Sequence, residues 1–233
     1  MLTKSNLDEI QSYLTDASNI KGGHAARVLF PANAEEIAEA LRDASQTHTP
    51  VTVSGAGTGI TGGRVPFGGI VLATDRLAQI VAIERDEAGG GRAIIEPGVL
   101  LRDLQAAVTA QGLFYPPDPT EWSCFLGGSV ATNASGARTF KYGPTRNYVR
   151  RLQVVLPTGE MLELERGQIF ATAEGQLRLP VSSGRVIEAQ LPGYRMPPTR
   201  KHAAGYFIAP GMDAIDLFIG SEGTLGVVTE VEV

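Results

Sequence analysis

The chain has 233 residues, 43% of them hydrophobic, a mean hydropathy close to zero and a formal net charge of −5. That is enough apolar material to bury a core, and the interspersed charges offer no basic stripe for nucleic acid; the only dense basic groups are Arg150-Arg151 and Arg200-Lys201-His202. One cysteine, Cys124, excludes an internal disulfide and a cysteine-cluster metal site, and His24, His48 and His202 lack metal-ligand spacing. The N-terminus (MLTKSNLDEI) has no basic-then-apolar leader pattern, and no apolar run approaches the roughly 20 residues that span a bilayer. The expectation is a soluble, cytoplasmic protein with no metal, no membrane span and no nucleic-acid partner.

In chain order, a helix is expected from about Leu7 to Leu14, a strand at Arg27 to Phe30 and a helix opening at Asn33. Asn33 followed three residues later by Glu36 is an N-cap arrangement, and Ile37, Ala40, Leu41 and Ala44 form a stripe of helical period. A strand at Val51 to Ser54 completes a strand-helix-strand unit, which favours a parallel pair with a right-handed crossover. Past Val71 the pattern changes. Ile80 to Glu84 and Arg92 to Glu96 read as antiparallel strands around the turn Asp86 to Gly91, and a helix from Leu100 to Gln111 stops before Gly112. Gln153 to Leu156 and Met161 to Leu164 flank Pro157-Thr158-Gly159-Glu160, a hairpin signal. Residues 166 to 200 read as an irregular excursion with two short strands.

The most informative stretch follows Ser54: seven of the fifteen residues from 55 to 69 are glycine. Glycine admits left-handed dihedrals and has no Cβ, so successive amides can turn inward and a phosphate can come close to the chain. Left-handed backbone is expected at Gly57 and Gly59. The formal GxGxxG of Gly57, Gly59 and Gly62 is not a Rossmann site, because Gly63, Pro66, Gly68 and Gly69 prevent a helix from opening behind it. A P-loop lysine is absent as well. The alternative is a glycine-rich surface loop without a ligand.

A second stretch, Pro116 to Asn147, is rich in small residues: Gly127, Gly128, Ser129, Ala131, Ala134, Ser135 and Gly136 could lie flat against a planar ligand, with Asn133 offering donors and an acceptor. Tight backbone packing without a ligand would produce the same composition. A third, Phe218 to Val233, reads as a helix end at Gly220, a turn and a strand, where Gly223 and Gly226 could border a slot and Glu222 could accept a hydrogen bond, although taken alone it reads more simply as an ordinary helix-to-strand turn.

These segments, SGAGTGITGG (54 to 63), PPD (116 to 118), GGSVATNASG (127 to 136), KYG (141 to 143), KHAAGY (201 to 206) and GSEGTLGVVTEV (220 to 231), resemble the flavin-binding half of the vanillyl-alcohol oxidase and p-cresol methylhydroxylase (PCMH) family, in its glycolate oxidase subunit and D-lactate dehydrogenase branch. The resemblance runs from about Val28 to the last residue. It implies an α+β, two-lobed PCMH-type fold, with a small lobe of parallel strands and helices (about 1–76) packed on a larger antiparallel lobe (about 77–233) and FAD extended between them. By position, Gly55, Ala56, Gly57, Thr58, Gly59 and Gly62 would hold the pyrophosphate through backbone amides. Pro117, Asp118, Gly127, Gly128, Ala131, Asn133 and Gly136 would border the flavin and ribityl chain, and Glu222, Gly223, Gly226 and Val228 would close over the adenosine or ring side. The loop has no histidine of the kind that links flavin in some relatives, and the spacing of Cys124 to Gly127 does not match theirs, so noncovalent FAD is expected. Ser54 stands where many relatives carry arginine.

The implied chemistry is hydride transfer from a small 2-hydroxy acid to FAD. The substrate cap of such relatives follows the point where this sequence ends, so the cap would be supplied elsewhere, by a second polypeptide or an iron-sulfur-linked partner. No catalytic residue is assigned; Arg200 and His202 border the substrate side in relatives but read more simply as solvated surface groups. The alternative is a flavin-binding module without catalysis of its own.

Overall fold

The computed structural model describes residues 1–199, 203 and 205–233. Its first sheet is built from β1 (Leu2–Lys4), β2 (Arg27–Phe30), β3 (Val51–Ser54) and β4 (Ile70–Ala73) in the order β1-β2-β4-β3, with β1 antiparallel at the edge and the other three parallel. The strand-helix-strand unit therefore does not give a directly paired β2 and β3: β4 lies between them. All four residues of β4, Ile-Val-Leu-Ala, are buried, as a central parallel strand covered on both faces requires.

The second sheet is antiparallel, with the order β5-β6-β11-β7-β8, from β5 (Ile80–Arg85), β6 (Gly91–Ile95), β7 (Arg151–Val155), β8 (Met161–Glu165) and β11 (Val227–Glu232). A separate hairpin, β9 (Gln176–Pro180) with β10 (Val186–Gln190), supplies the two short strands of the excursion. The fold is α+β and two-lobed.

The helices are α1 (Leu7–Ile10, continued by a 3-10 turn over Gln11–Tyr13), α2 (Ala34–Gln46), α3 (Leu101–Ala110), α4 (Leu126–Ala131), α5 (Thr139–Tyr142) and α6 (Ile215–Phe218). α2 begins as its sequence dictates: Asn33 Oδ1 accepts from the Glu36 amide at 2.9 Å, and Glu36 Oε2 accepts from the Ala32 amide at 2.8 Å. Its apolar stripe, Ile37, Ala38, Ala40, Leu41 and Ala44, packs on Leu29, Ile70 and Leu72 of the first sheet and on Val155 and Val227 of the second. α2 is thus the wedge that fixes one sheet against the other. The β7-β8 turn seats against it at Gly159, which has φ +77° and lies so close to the Ala38 carbonyl that a Cβ would come within 2.6 Å of it.

The opposite face of the first sheet is covered by Ile10 and Leu14 from the N-terminal segment. The second sheet packs Ile95, Leu152, Val154, Leu162 and Val231 against Leu101, Leu104 and Val108 of α3, Leu126 and Val130 of α4, and Ile215 and Phe218 of α6. Full burial of side chains of this size contributes about 1.5–3 kcal/mol each, so this cluster is the main source of stability for the site that sits at its edge.

A cleft between a glycine loop and a small-residue wall

A cleft of about 850 Å³ opens where the two sheets meet, within the usual range of ligand sites, roughly 300–1,000 Å³. Its floor is the C-terminal end of the parallel strands, reached through Val53 and Thr74, which is where α/β sheets present their ligand sites. Gly55, Ala56, Gly57, Thr58 and Gly59 all line it. Among the described residues, no backbone or side-chain group accepts a hydrogen bond from the amides of residues 56 to 63. Polar backbone of this kind is normally paired with protein, water or ligand, so the run is a row of free donors, and all of its residues but Gly62 line the cavity.

Gly57 has φ +77°, and its carbonyl accepts from the Ala17 amide at 3.1 Å, which docks the N-terminal segment against the loop. Gly59 differs from expectation: its φ is not left-handed, and a Cβ there would meet nothing within 4 Å. Open space rather than dihedral freedom distinguishes that position. Gly62 does have φ +83°, but it faces away from the cleft, with a Cβ position 2.3 Å from Ile20 Cδ1.

The opposing wall is α4 and its flanks. Leu126 and Val130, four residues apart, are fully buried, and this turns Gly127, Gly128 and Ala131 to the cleft. The small residues have different reasons. Gly127 is small because a Cβ would lie 2.5 Å from Pro97 Cβ, whereas at Gly128 a Cβ would meet nothing within 4 Å.

Four other wall positions singled out in the sequence stand off the cleft. The Pro117 carbonyl accepts from Gln105 Nε2 at 3.0 Å, Asp118 pairs with Arg138 at 3.3 Å, and Asn133, at φ +46°, accepts from the Arg146 amide at 3.0 Å. Gly136 is pressed against the Asp118 carbonyl, which a Cβ would approach to 1.9 Å. These four hold the wall's shape.

The third side is residues 221–228. Gly220 and Glu222 donate their amides to the carbonyls of Val130 and Ala131, at 3.0 and 2.8 Å, so this turn is clamped to the end of α4. Glu222 is held at φ +53°, and its carboxylate reaches across to the loop, where a Cβ on Gly63 would be 2.9 Å from Oε2. Gly223 approaches Val53, and Gly226 crosses β7 so closely that a Cβ would be 2.7 Å from Val154 Cγ1. Glu222, Gly223, Gly226 and Val228 all line the cleft. Arg200 and His202 lie outside the described residues.

Two lining residues carry no conspicuous motif. Arg64 is the one basic residue between 55 and 69, and Asp16 enters from the N-terminal segment. Nη2 of Arg64 donates to the Ser12 carbonyl at 2.6 Å, and its guanidinium lies 5.2 Å from the centroid of the Tyr13 ring. Tyr13 in turn donates to Asp75 Oδ1 at 2.9 Å. The charge of Arg64 was legible in the sequence; its surroundings were not, because residues 12–17 fold across the loop from more than forty positions away. On the wall, Cys124 is buried with its thiol 3.4 Å from Ser129 Oγ, and burial pushes the thiol above its ordinary range.

The comparisons with known proteins agree with this geometry. A match to the FAD binding domain family covers residues 25–165. The chain is 36% identical over 227 residues to D-lactate dehydrogenase of Anaerostipes hadrus, covering 96% of this chain and 39% of that protein. It is 35% identical over 205 residues to glycolate oxidase subunit GlcD of Bacillus subtilis, covering 87% and 35%. Among solved structures, alkyldihydroxyacetonephosphate synthase superposes with a TM-score of 0.69 at 20% identity, covering 99% of this chain and 40% of that one, and so shares its fold. The chain spans under two fifths of the length of these curated relatives. What fold and cleft define is a flavin-nucleotide-binding domain. The chain belongs to the FAD binding domain family, of the PCMH type found in the glycolate oxidase subunit and D-lactate dehydrogenase branch.

Proposed function

We propose that this chain is the FAD-holding part of an oxidoreductase that oxidises a small 2-hydroxy acid, with FAD bound noncovalently and the substrate cap supplied by a segment or polypeptide outside these residues. The observation that carries the reading is the run of acceptor-less amides over residues 56–63 opposite the open face at Gly128. The first suits a phosphate group and the second leaves room for a flat ring. The names of the relatives, D-lactate dehydrogenase and glycolate oxidase subunit, supply the substrate class.

In this reading Gly55 to Gly59 hold the pyrophosphate through backbone amides. Gly127, Gly128 and Ala131 flank the ring and ribityl chain, while Glu222, Gly223, Gly226 and Val228 close the remaining side. Bound FAD would accept the hydride equivalent from the hydroxyl-bearing carbon. The chain's own residues bind, orient and exclude water. Among the described lining residues none is histidine, lysine or tyrosine, and the one thiol is buried and kept protonated, which favours noncovalent attachment. With carboxylates (Asp16, Glu121, Glu222) as the only lining bases among the described residues, this reading gives the proton acceptor to the cap.

The test is an absorption spectrum of the purified chain before and after acid precipitation. A flavin band that moves into the acid supernatant as FAD is the expected result; no flavin after incubation with excess FAD overturns the reading. Anaerobic addition of D-lactate or glycolate, with and without a polypeptide that supplies the cap, then tests the substrate class. Bleaching only with that partner fits the proposal. No bleaching in either mixture leaves the second reading, a flavin-binding module without catalysis, which the lack of a lining histidine, lysine or tyrosine among the described residues supports.

A further inference from the structure

Among the described residues, those that line the cleft with a formal charge are acidic except one: Asp16, Glu121 and Glu222 against Arg64. A dinucleotide brings two phosphate charges into this setting, where carboxylates outnumber cations, so backbone dipoles alone would have to offset both the ligand's charge and that of the protein. The position of Arg64 answers that imbalance. It is mostly buried, and although Asp75 and Asp16 lie near enough to favour its charge, among the described residues it makes no ion pair within 4.0 Å. Among the described residues its one hydrogen-bond partner is the Ser12 carbonyl, which accepts from Nη2; Nε is buried without an acceptor there, and Nη1 donates to none of their groups. That last nitrogen lies against Gly57, 1.9 Å from where a Cβ would stand, beside the row of free amides.

A buried guanidinium with unused donors is costly unless an anion completes it. Its conformation is already fixed by the Tyr13 ring and the Ser12 carbonyl, so little side-chain freedom is lost on binding. We propose that Arg64 is the side-chain countercharge of the dinucleotide's diphosphate, acting with the amides of residues 56–63 and replacing any contribution from position 54, where Ser54 is fully buried and turned to its own backbone. Gly57 is then required twice: for its left-handed φ and to leave space for Nη1. This inference rests on the FAD reading above.

The test compares two ligands that share the flavin and differ in phosphate. FAD and riboflavin are titrated into the flavin-free 233-residue chain and its Arg64→Met and Arg64→Lys variants, following flavin fluorescence, with thermal midpoints recorded for each protein. Arg64→Met is expected to weaken FAD about ten- to a hundredfold while changing riboflavin less than about twofold, and Arg64→Lys to recover part of the loss. The salt dependence of FAD binding should also become shallower in the Met variant. Unchanged FAD affinity, or equal weakening of both ligands, which is what a purely structural arginine would give, overturns the assignment of Arg64 and leaves the FAD reading intact. Failure of the unaltered chain to bind FAD at all removes both.

Discussion

The glycine loop and the facing wall have nearly the same composition and use it for opposite ends. From residue 56 to 63 the missing side chains expose backbone donors, none of which finds an acceptor among the described residues. From 127 to 136 the missing side chains let backbone pack on backbone: Gly127 donates to the Pro97 carbonyl at 2.8 Å, Ala134 to Ser129 at 2.8 Å, and the Gly136 amide to Thr139 Oγ1 at 2.7 Å. Only Gly128 interrupts that pattern by facing open space. Glycine in the loop therefore serves binding at some expense of stability, and glycine in the wall serves stability and only indirectly binding.

Substitutions separate the two uses. The largest loss of stability is expected at Gly136→Val, whose Cβ would be forced to 1.9 Å from the Asp118 carbonyl. Backbone must move, and a destabilisation of about 3 kcal/mol or more is expected in denaturant melts of the flavin-free chain. A stable Gly136→Val protein would mean that the wall is not held by this contact. Gly57→Val should lose less, about 1–3 kcal/mol from the left-handed dihedral, because the nearest atom is the end of a side chain rather than backbone. Its FAD affinity, read by fluorescence titration, should nevertheless fall at least about a hundredfold, the equivalent of two or three lost charge-assisted hydrogen bonds.

Gly59→Val gives the sharpest contrast. With ordinary φ and no atom within 4 Å of the new Cβ, its unliganded stability should stay within about 0.5 kcal/mol of the parent, yet FAD should bind about tenfold or more weakly. Gly128→Ala goes a step further and predicts opposite signs. Alanine in α4 should stabilise the flavin-free chain by about 0.5–1 kcal/mol while encroaching on the cleft and weakening FAD. Equal affinity in both variants would place the ligand elsewhere.

Much of this was legible in the sequence wherever the cause is local. Asn33 and Glu36 announce the start of α2, the Pro157-Thr158-Gly159-Glu160 turn announces the β7-β8 hairpin, and the density of glycine after Ser54 announces the loop. Pairing was less legible, because β4 reaches its place between β2 and β3 from a later position in the chain. A signal did exist: Ile70 to Ala73 is apolar at every position, whereas Val51 to Ser54 alternates, which marks the former as the more enclosed strand.

The site divided in the same way. Apart from Gly62, the motif positions on the loop and the last turn line the cleft, but Pro117, Asp118, Asn133 and Gly136 are spent on contacts that shape the wall, and a motif does not distinguish lining a site from supporting one. The environment of Arg64 was illegible because Ser12, Tyr13 and Asp16 are brought to it only by the fold.

The smallest expected effect concerns the base of the loop. Tyr13 joins it to the first sheet by donating to Asp75 Oδ1, and burial, followed by this hydrogen bond, pushes its phenol up to about 12. A phenol held neutral in the folded chain and free to ionise when unfolded contributes stability that is fully present below the unfolded value, near 10, and is lost as pH rises from there toward about 12. Tyr13→Phe should therefore lower stability near pH 8 by about 1 kcal/mol or less, discounted because the group is only part-buried, and should flatten the alkaline decline between pH 9 and 12. Among the described residues the carboxylate of Asp75 has no other hydrogen bond, since its Oδ2 is buried and unpartnered, so the loss of this one contact should also loosen residues 12–17 where they lie across Arg64. A Phe variant that kept both the parent's neutral-pH stability and its full alkaline decline would show that the loop stands without this support, as the wall does.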